Sequence, residues 1–568
     1  MSERNWLKAL FLLPLVGMLL AMTGLSATAA PPVKGSPETT IISVTDLTPP
    51  VFVDDDGNGV EGVSISYTIQ NATKAQYQID TGSWLALAAS PAAVDIPVGD
   101  HVLRVRAVAK DGTVDATPAS ANLTICPAAG CATATPTPTE TTTPTPTPTP
   151  TETSTTGVTP AKSTKDFTGG VCVNAHWYFG STPYTTNYAA LKTALQDLNI
   201  TCVRDQWNPA STTQKNRFID LAAAGIKHDV IIDSRRFNDE AADRTAADTN
   251  SNGAVSVAEA IDHLLDNAPG SVLSIEGMNE NLSTTTGCNQ TISEAQQIWA
   301  TKQADSRLAD IPVLSPAAAH PTQNACLGDL SAYTDEGNIH SYPGGYTPDA
   351  SERGSPWSLA GWKSNVAPVV GDVPIQATET FYNTAVNTTS GHFPVSEAVD
   401  GKYSAQLPFA YQLNGVHRAY KYELVNQQNN TALDNIEANF GLLRNDLSEK
   451  PSYKSLNNTM DLLNDSNQAT LSKLDYTISA DAPSTVRQYL LQKSDGSHWL
   501  AVWNDVSAWN TSTKTETPVA DVNVSITVPD SKNVTVYRPY SGVDPVSTSP
   551  GGALSVPVNV HPTLVKVS

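Results

Sequence analysis

A closed parallel β/α barrel set between two smaller all-β modules is the architecture that the sequence predicts. Three observations carry this. Short apolar runs alternate with helical stretches from about Phe167 to Leu463. Segments before and after that region alternate apolar and polar residues at period two. A proline-threonine stretch separates the first β segment from everything that follows. Strands covered on both faces read as continuous apolar runs, whereas a strand with one wet face alternates, so the two patterns imply different kinds of sheet.

The chain has 568 residues and a formal charge of −22. Its length leaves room for several domains. The acidic excess argues against nucleic acid or an anionic membrane surface as partners, because both select basic patches. A soluble monomer acting on a neutral partner fits.

Residues 1–29 contain Arg4 and Lys8, an apolar run from Ala9 to about Leu25, and small residues ending in "ATA". This is the layout of a secretory signal peptide cut after Ala29. An uncleaved anchor is the alternative, although the apolar run falls short of the ~20 residues that a span requires. Either way the chain is expected to be exported; with cleavage it is secreted, with no membrane role beyond export, and export permits disulfides. The expected pairs are Cys126–Cys131, closing a small local loop, and Cys288–Cys326, joining two neighbouring loops. Cys172 and Cys202 fall in buried strands, where free thiols account for them equally well.

Residues 39–126 hold "VSISYTIQ", "KAQYQID", "AAVDIP" and "HVLRVRAVA" between turn clusters, as in an immunoglobulin- or fibronectin-like sandwich. The "DDDGNG" from Asp54 reads as a solvated turn or a calcium loop. Carbohydrate binding and a spacer role both remain open for this module. Residues 132–165 form the linker, where proline fixes φ and removes donors so that the chain stays extended. Residues 166–464 are the barrel. Its runs are "GGVCVNAHW", "ITCVRDQW", "IKHDVIID", "SVLSIEGMNE", "IPVLSPAAAH", "GNIHSYP", "PIQATETF" and "RAYKYELV", with helices such as "NYAALKTALQDLN" between them. Eight such alternations are the count of a TIM barrel. The rival, an open doubly wound sheet, lacks its glycine-rich phosphate fingerprint here. Residues 465–568 return to alternation and read as a second sandwich supporting the barrel.

In a barrel of this kind the functional site forms at the C-terminal ends of the strands. The polar and aromatic residues placed there are His176 and Trp177 after the first run, then Arg204, Asp205 and Trp207 after the second. Asn279 and Glu280 follow the fourth run, His340 and Tyr342 the sixth, Glu379 the seventh, and Tyr422, Glu423 and Asn426 the eighth. Two carboxylates from separate strands thus share one location with an arginine and an asparagine.

The "NE" pair after the fourth strand, the glutamate of "TET" at the seventh, "CVRDQW" and "NIHSYPGG" together resemble the retaining glycoside hydrolases of clan A. The segment "NFGLLRNDLSEKPSYKSLNNTMDLL" is similar to the end of such catalytic domains. The resemblance spans roughly Gly169 to Leu463 and implies a polysaccharide or oligosaccharide substrate. It also implies Glu280 as acid/base, Glu379 as nucleophile, and no required cofactor. In such chemistry a protonated acid assists the leaving oxygen and an ionised carboxylate about 5–5.5 Å away attacks the anomeric carbon. By the same resemblance Arg204 would hold Glu379 charged, Asn279 would bond the sugar 2-hydroxyl, and Tyr342 or His340 would position one of the pair. Trp177 and Trp207 would offer stacking faces. Many clan members carry a tryptophan at the end of the eighth strand, where this chain has Tyr422.

One further motif, "DTNSNGAVSVAE", matches the calcium-loop pattern with Asp248, Asn250, Asn252, Ser256 and Glu259 at ligand positions. A capped helix start after an Asn-Gly turn would look the same. If calcium is held there, its role is structural.

Overall fold

The computed structural model describes residues 161–239 and 241–568. Before them it describes 38–44, 51–53, 60–70, 72–80, 82–87, 92–110, 113–114, 119–126 and 155–156. The expected signal segment, the Asp54 turn, most of the linker and the Cys126–Cys131 pair lie outside the described residues. The chain divides into two compact units, Met1–Thr147 and Pro148–Ser568.

In the first unit Glu38–Val44, Val60–Gln70 and Ala92–Pro97 form one antiparallel sheet. A second sheet runs Val51–Val53, Ala119–Cys126, Gly99–Val108, Lys74–Ile79 and Leu85–Leu87. Val63, Val94 and Ile96 of the first share a core with Ala75, Leu103, Val105 and Ile125 of the second. Period-two alternation requires this, since each strand buries only every other side chain.

The second unit is built around a parallel sheet. Its strands are β1 (Val171–Asn174), β2 (Cys202–Gln206), β3 (Lys227–Ile231), β4 (Val272–Glu276), β5 (Gly337–Asn338), β6 (Ile375–Thr380) and β7 (Val416–Lys421). They pair in the order β4-β3-β2-β1-β7-β6-β5. The fifth expected run forms no strand. Instead Val313 bridges Ile275 of β4, and Leu314 bridges Glu336 beside β5, so the curled sheet is joined across its two edges as a TIM barrel requires. Pro312 and Pro316 flank that run and remove two N–H donors, which limits it to single bridges.

The intervening helices are α1 (Tyr188–Asp197), α2 (Thr212–Ala223), α3 (Val257–Asn267), α4 (Thr285–Ala304), α5 (Leu359–Val370), α6 (Glu397–Leu413) and α7 (Pro451–Leu463). Ser211, Ser256, Thr284, Ser358 and Ser396 each cap a helix start by accepting a backbone N–H from the first turn. Among the described residues no helix is long and apolar enough to cross a membrane.

Strand alternation assigns each side chain to the barrel interior or to the helices. Val171, Val173, Val203, Val230 and Ile275 turn outward into the helix-facing core. Cys172 and Cys202 cluster instead with Tyr420 and Leu273. Both cysteines are paired in a disulfide that joins β1 to β2, so the alternative of free thiols is not what the fold adopts. Cys288 and Cys326 are also bonded. The Cys172–Cys202 link closes 30 residues of sequence. Loop-closure entropy for that length is worth ~3.5 kcal/mol. Replacing both residues by alanine is expected to lower unfolding stability by about that amount, read from urea titrations of the two proteins. A variant as stable as the wild type would contradict this.

The C-terminal strands β8 (Val486–Gln492), β9 (His498–Asn504), β10 (Val522–Tyr537), β11 (Pro545–Val558) and β12 (Thr563–Val567) pair antiparallel. β9 is buried along its whole length because both faces are covered. Leu500 and Val502 face the β core, while Trp499, Ala501 and Trp503 pack against Phe167, Phe409 and Leu463 of the barrel segment. The expected linker requires a correction at its end. Thr155–Thr156 and Lys162–Ser163 are strands at the two edges of this C-terminal sheet. Sheet edges present unpaired N–H and C=O groups, and these dipeptides contain no proline to refuse them.

Candidate active site

The upper interior of the barrel is polar, and Arg204 organises it. Its guanidinium donates from Nε to Glu276, from Nη1 to Asn174 Oδ1 at 3.1 Å and Glu379 Oε1 at 2.7 Å, and from Nη2 to Asn279 Oδ1 at 2.8 Å. A planar fork with five donors can serve that many acceptors from one buried position. Burial alone would lower the guanidinium's affinity for its proton, but Glu276, Glu379 and Asp229 outweigh it and raise it further. Glu276 also accepts from Asn338 at 2.5 Å and from Thr378 at 3.3 Å. The two glutamates of "SIEGMNEN" therefore have separate surroundings, with Glu276 committed to the buried network.

Glu379 ends β6 and is nearly buried. Arg204 holds Oε1, and the Tyr342 hydroxyl donates to Oε2 at 2.6 Å. Burial pushes its carboxyl upward, yet the charges of His340 and Arg204 and the Tyr342 hydrogen bond pull it down to about 2. It is ionised at neutral pH. Glu280 stands past β4 in a left-handed conformation, φ 48°, and its side chain keeps 28 % of its surface open. His340 Nδ1 lies 2.7 Å from Glu280 Oε1 and 3.7 Å from Glu379 Oε2, while its Nε2 meets the Thr378 hydroxyl at 3.1 Å. One carboxylate oxygen of Glu280, one of Glu379 and a ring nitrogen of His340 all fall within 4.8 Å of one another.

The same three residues have donor types that could hold a metal ion. Arg204 already supplies a positive charge bonded to Glu379, and a second cation there would be repelled by it.

His340 has a testable consequence. Burial would lower its pKa, but the charge of Glu379, then the hydrogen bond and charge of Glu280, raise it above the ordinary 6.5. A histidine raised on folding contributes stability that is fully present below pH 6.5 and is lost as pH rises through the folded value. His340→Gln is therefore expected to cost more stability in mildly acidic buffer than in alkaline buffer, by urea unfolding at both. An equal cost at both would show that the imidazolium does not bear on folding.

Not every expected residue reaches this cluster. Trp177 and Trp207 are completely buried, so neither presents a stacking face, which corrects the expectation. Trp177 packs edge-on against Tyr184 and Tyr188 and donates to His228 Nε2 at 3.2 Å. Trp207 packs against Phe218 and donates to His263. Both indoles fill the layer between strands and helices, where apolar bulk is wanted and an N–H partner is at hand. Asp205 likewise turns away, accepting from the Trp177 N–H and Gln214.

Tyr422 is half-buried at the rim, its ring edge-on to His176 at 5.7 Å and Phe440 at 5.2 Å. His176 stacks on Phe179, and burial lowers its pKa to about 4, so it is neutral. Glu423 accepts from Tyr184 and Gln427 at 3.0 Å each. Burial raises it to about 8, and His176 Nε2 lies 3.5 Å from its Oε2. Asn426 accepts from the Gly441 N–H at 2.8 Å and from Lys450, a loop-holding role.

Sequence reading did not single out Asn174, Asn338, Thr378 or His392. The first three sit inside the strands and are inward by alternation, a signal that was legible. His392 lies in an aperiodic loop after β6 and had none.

The Asp248–Glu259 loop forms the capped helix start. Asp248 accepts from the backbone N–H groups of Asn252 and Gly253, and Asn252 accepts from that of Ala254. Ser256 and Glu259 make a reciprocal capping box at the start of α3. Glu259 Oε2 is taken by Ser256, and its Oε1 by Thr249. Asn250 accepts from the Asn252 N–H. These bonds build a helix start from the same side chains that a calcium loop would use.

No protein-family model matches the chain, and no curated protein does. Solved structures are similar at low identity. A family 39 glycoside hydrolase from Bacteroides cellulosilyticus WH2 is 16 % identical with TM-score 0.49, over 93 % of this chain and 100 % of that one. A family 51 α-L-arabinofuranosidase from Thermotoga petrophila RKU-1 is 14 % identical with TM-score 0.45, over 72 % and 98 %. A β-glucuronidase from Faecalibacterium prausnitzii is 13 % identical with TM-score 0.36, over 74 % and 65 %.

Proposed function

We propose that the chain is a secreted retaining glycoside hydrolase of clan A, acting on a polysaccharide or oligosaccharide by double displacement. Glu280 is the acid/base and Glu379 the nucleophile. The observation that carries this reading is the approach of the two carboxylates, whose oxygens lie within 4.8 Å at the C-terminal mouth of a parallel barrel. Retaining chemistry needs about 5–5.5 Å, because the nucleophile must reach the anomeric carbon while the acid reaches the leaving oxygen. An inverting pair needs a wider gap for water.

The environments of the two groups fit different tasks. Glu379 is held ionised by the charges of His340 and Arg204 and the Tyr342 hydrogen bond, as a nucleophile must be. Glu280 is open to solvent, where it gives its proton to the leaving oxygen and then takes one from the water that hydrolyses the intermediate. Asn279 gives its carbonyl oxygen to Arg204, leaving its amide N–H groups for the sugar 2-hydroxyl. Tyr422 is the aromatic surface at the eighth strand's end. The flanking β modules are read as an immunoglobulin-like sandwich at residues 39–126, after an export signal at 1–29 and before the linker, and a supporting sandwich at 465–568. No cofactor enters the reaction.

Hydrolysis of a panel of aryl α- and β-glycosides and polysaccharides tests the assignment, comparing wild type with Glu280→Ala and Glu379→Ala. Activity surviving both substitutions would sink the site. A wild type inactive on every member would favour a non-catalytic carbohydrate-binding barrel.

A further inference from the structure

Beside Tyr342 stands an arginine that the mechanism leaves unused. The guanidinium of Arg353 lies 4.4 Å from the Trp357 ring centre, 5.7 Å from that of Phe393 and 5.8 Å from that of Tyr346. Among the described residues its hydrogen bond is to the Tyr342 carbonyl at 3.4 Å, and no carboxylate pairs with it. Arg235, Arg307, Arg444 and Arg538 each pair with an aspartate or glutamate. The acids nearest to Arg353 in sequence are committed to their own loop. Glu352 accepts from the N–H and hydroxyl of Thr347, and Asp349 accepts from the Ser351 N–H.

The cluster adjoins the catalytic pair. Tyr342, whose hydroxyl holds Glu379, packs edge-on against His392 at 5.3 Å. His392 is lowered first by burial, then drawn upward by Glu280, lowered again by Arg353, and touched least by Glu379. His392 and Tyr342 thus link this wall to the catalytic pair through the Tyr342 hydroxyl on Glu379. Gly344, at φ 68°, lets the loop pass close to this wall; a Cβ there would meet Phe393 at 3.5 Å and Arg353 Nη1 at 3.8 Å. Phe393 keeps 37 % of its surface exposed, and Trp357 and Tyr346 are half-buried, so ring area is open to a ligand.

We propose that Arg353, Trp357, Tyr346 and Phe393 form a subsite for an anionic sugar beside the catalytic pair, taking a uronate carboxylate or a sulfate ester. This rests on the hydrolase reading, because Arg353 contacts Tyr342, whose hydroxyl holds the proposed nucleophile. Aromatic faces suit the C–H faces of a sugar ring, and a guanidinium fork matches a planar carboxylate. The chain's formal net charge is −22. The same net charge repels a long polyanion, so the ligand is an anionic unit within an otherwise neutral glycan.

Calorimetric titration of the full chain with methyl β-D-glucuronide, glucose 6-sulfate and methyl β-D-glucoside tests this without requiring turnover. At least one anionic probe is expected to bind about tenfold or more tighter than the neutral glucoside, a preference that weakens with added salt. Arg353→Gln should erase the preference and leave glucoside binding as it was, and Arg353→Lys should retain part of it. Preference for the glucuronide alone identifies a uronate, and for the sulfate alone a sulfate ester. Equal binding of all three by the wild type overturns the proposal, whether or not the variants fold. So does a preference that survives Arg353→Gln. A wild type that binds the glucuronide through Arg353 yet hydrolyses no glycoside would sink the hydrolase reading and leave the anion site standing.

Discussion

Replacing Glu379 by alanine is expected to cut hydrolysis of the best panel substrate by roughly 10⁴-fold or more, about 5.5 kcal/mol of activation free energy. The loss is large because the carboxylate forms the covalent bond; no neighbour can take its place. Arg204 and Tyr342 hold that carboxylate, and neither is a nucleophile itself. Sodium azide then supplies a small anion that fits the vacated space. It attacks the anomeric carbon as the leaving alkoxide departs with the proton of Glu280, giving a glycosyl azide of inverted configuration. Rate recovery with that product identifies Glu379. An azide of inverted configuration formed by Glu280→Ala but not by Glu379→Ala would exchange the two roles.

Arg204→Met carries the second large effect, and here stability and activity fall together. Arg204 stands within ion-pair distance of Glu276, Glu379 and Asp229, all in the barrel interior. Asp229 is raised to about 8, by burial first and then by the charge of Glu276, so it is already neutral at pH 7. The other two are left as buried anions once the cation is gone. Removing one partner of a buried ion pair costs about 3–5 kcal/mol. Urea unfolding should show a loss of that size at neutral pH. Turnover should fall further than the folded fraction alone explains, since Glu379 loses the guanidinium that holds its Oε1 in place. Arg204→Lys should rescue little, because an ammonium cannot span acceptors on Asn174, Glu276, Asn279 and Glu379 at once. A methionine variant unfolding at the wild-type urea concentration would show that the network is not held by Arg204.

Much of the barrel was legible because its signal is repetitive. Val171, Val203, Val230 and Ile275 recur in runs covered on both faces, and the residue after each run lies at the mouth. The fifth run was legible as a position in the ring but not as bridges, since a count of apolar residues ignores what Pro312 and Pro316 do to donors. The tryptophans misled for a related reason. A position just past a strand says that a side chain starts near the mouth, but not which way it leaves. Trp177 and Trp207 leave outward, into the helix layer.

What the sequence determined by itself is the alternation of runs and helices, and with it the candidates Arg204, Asn279, Glu280, His340, Tyr342 and Glu379. Period and order along the chain are local properties, so they can be read without the fold. Only the tertiary structure decided which of those candidates meet. Glu276 and Glu280 are four positions apart in the chain, yet one joins the buried Arg204 network while the other comes within 4.8 Å of Glu379 from a different strand. It also decided that Arg353 stands among three rings with no carboxylate partner among the described residues. Closing the sheet sets those distances, and closure depends on pairing residues that sequence spacing leaves far apart.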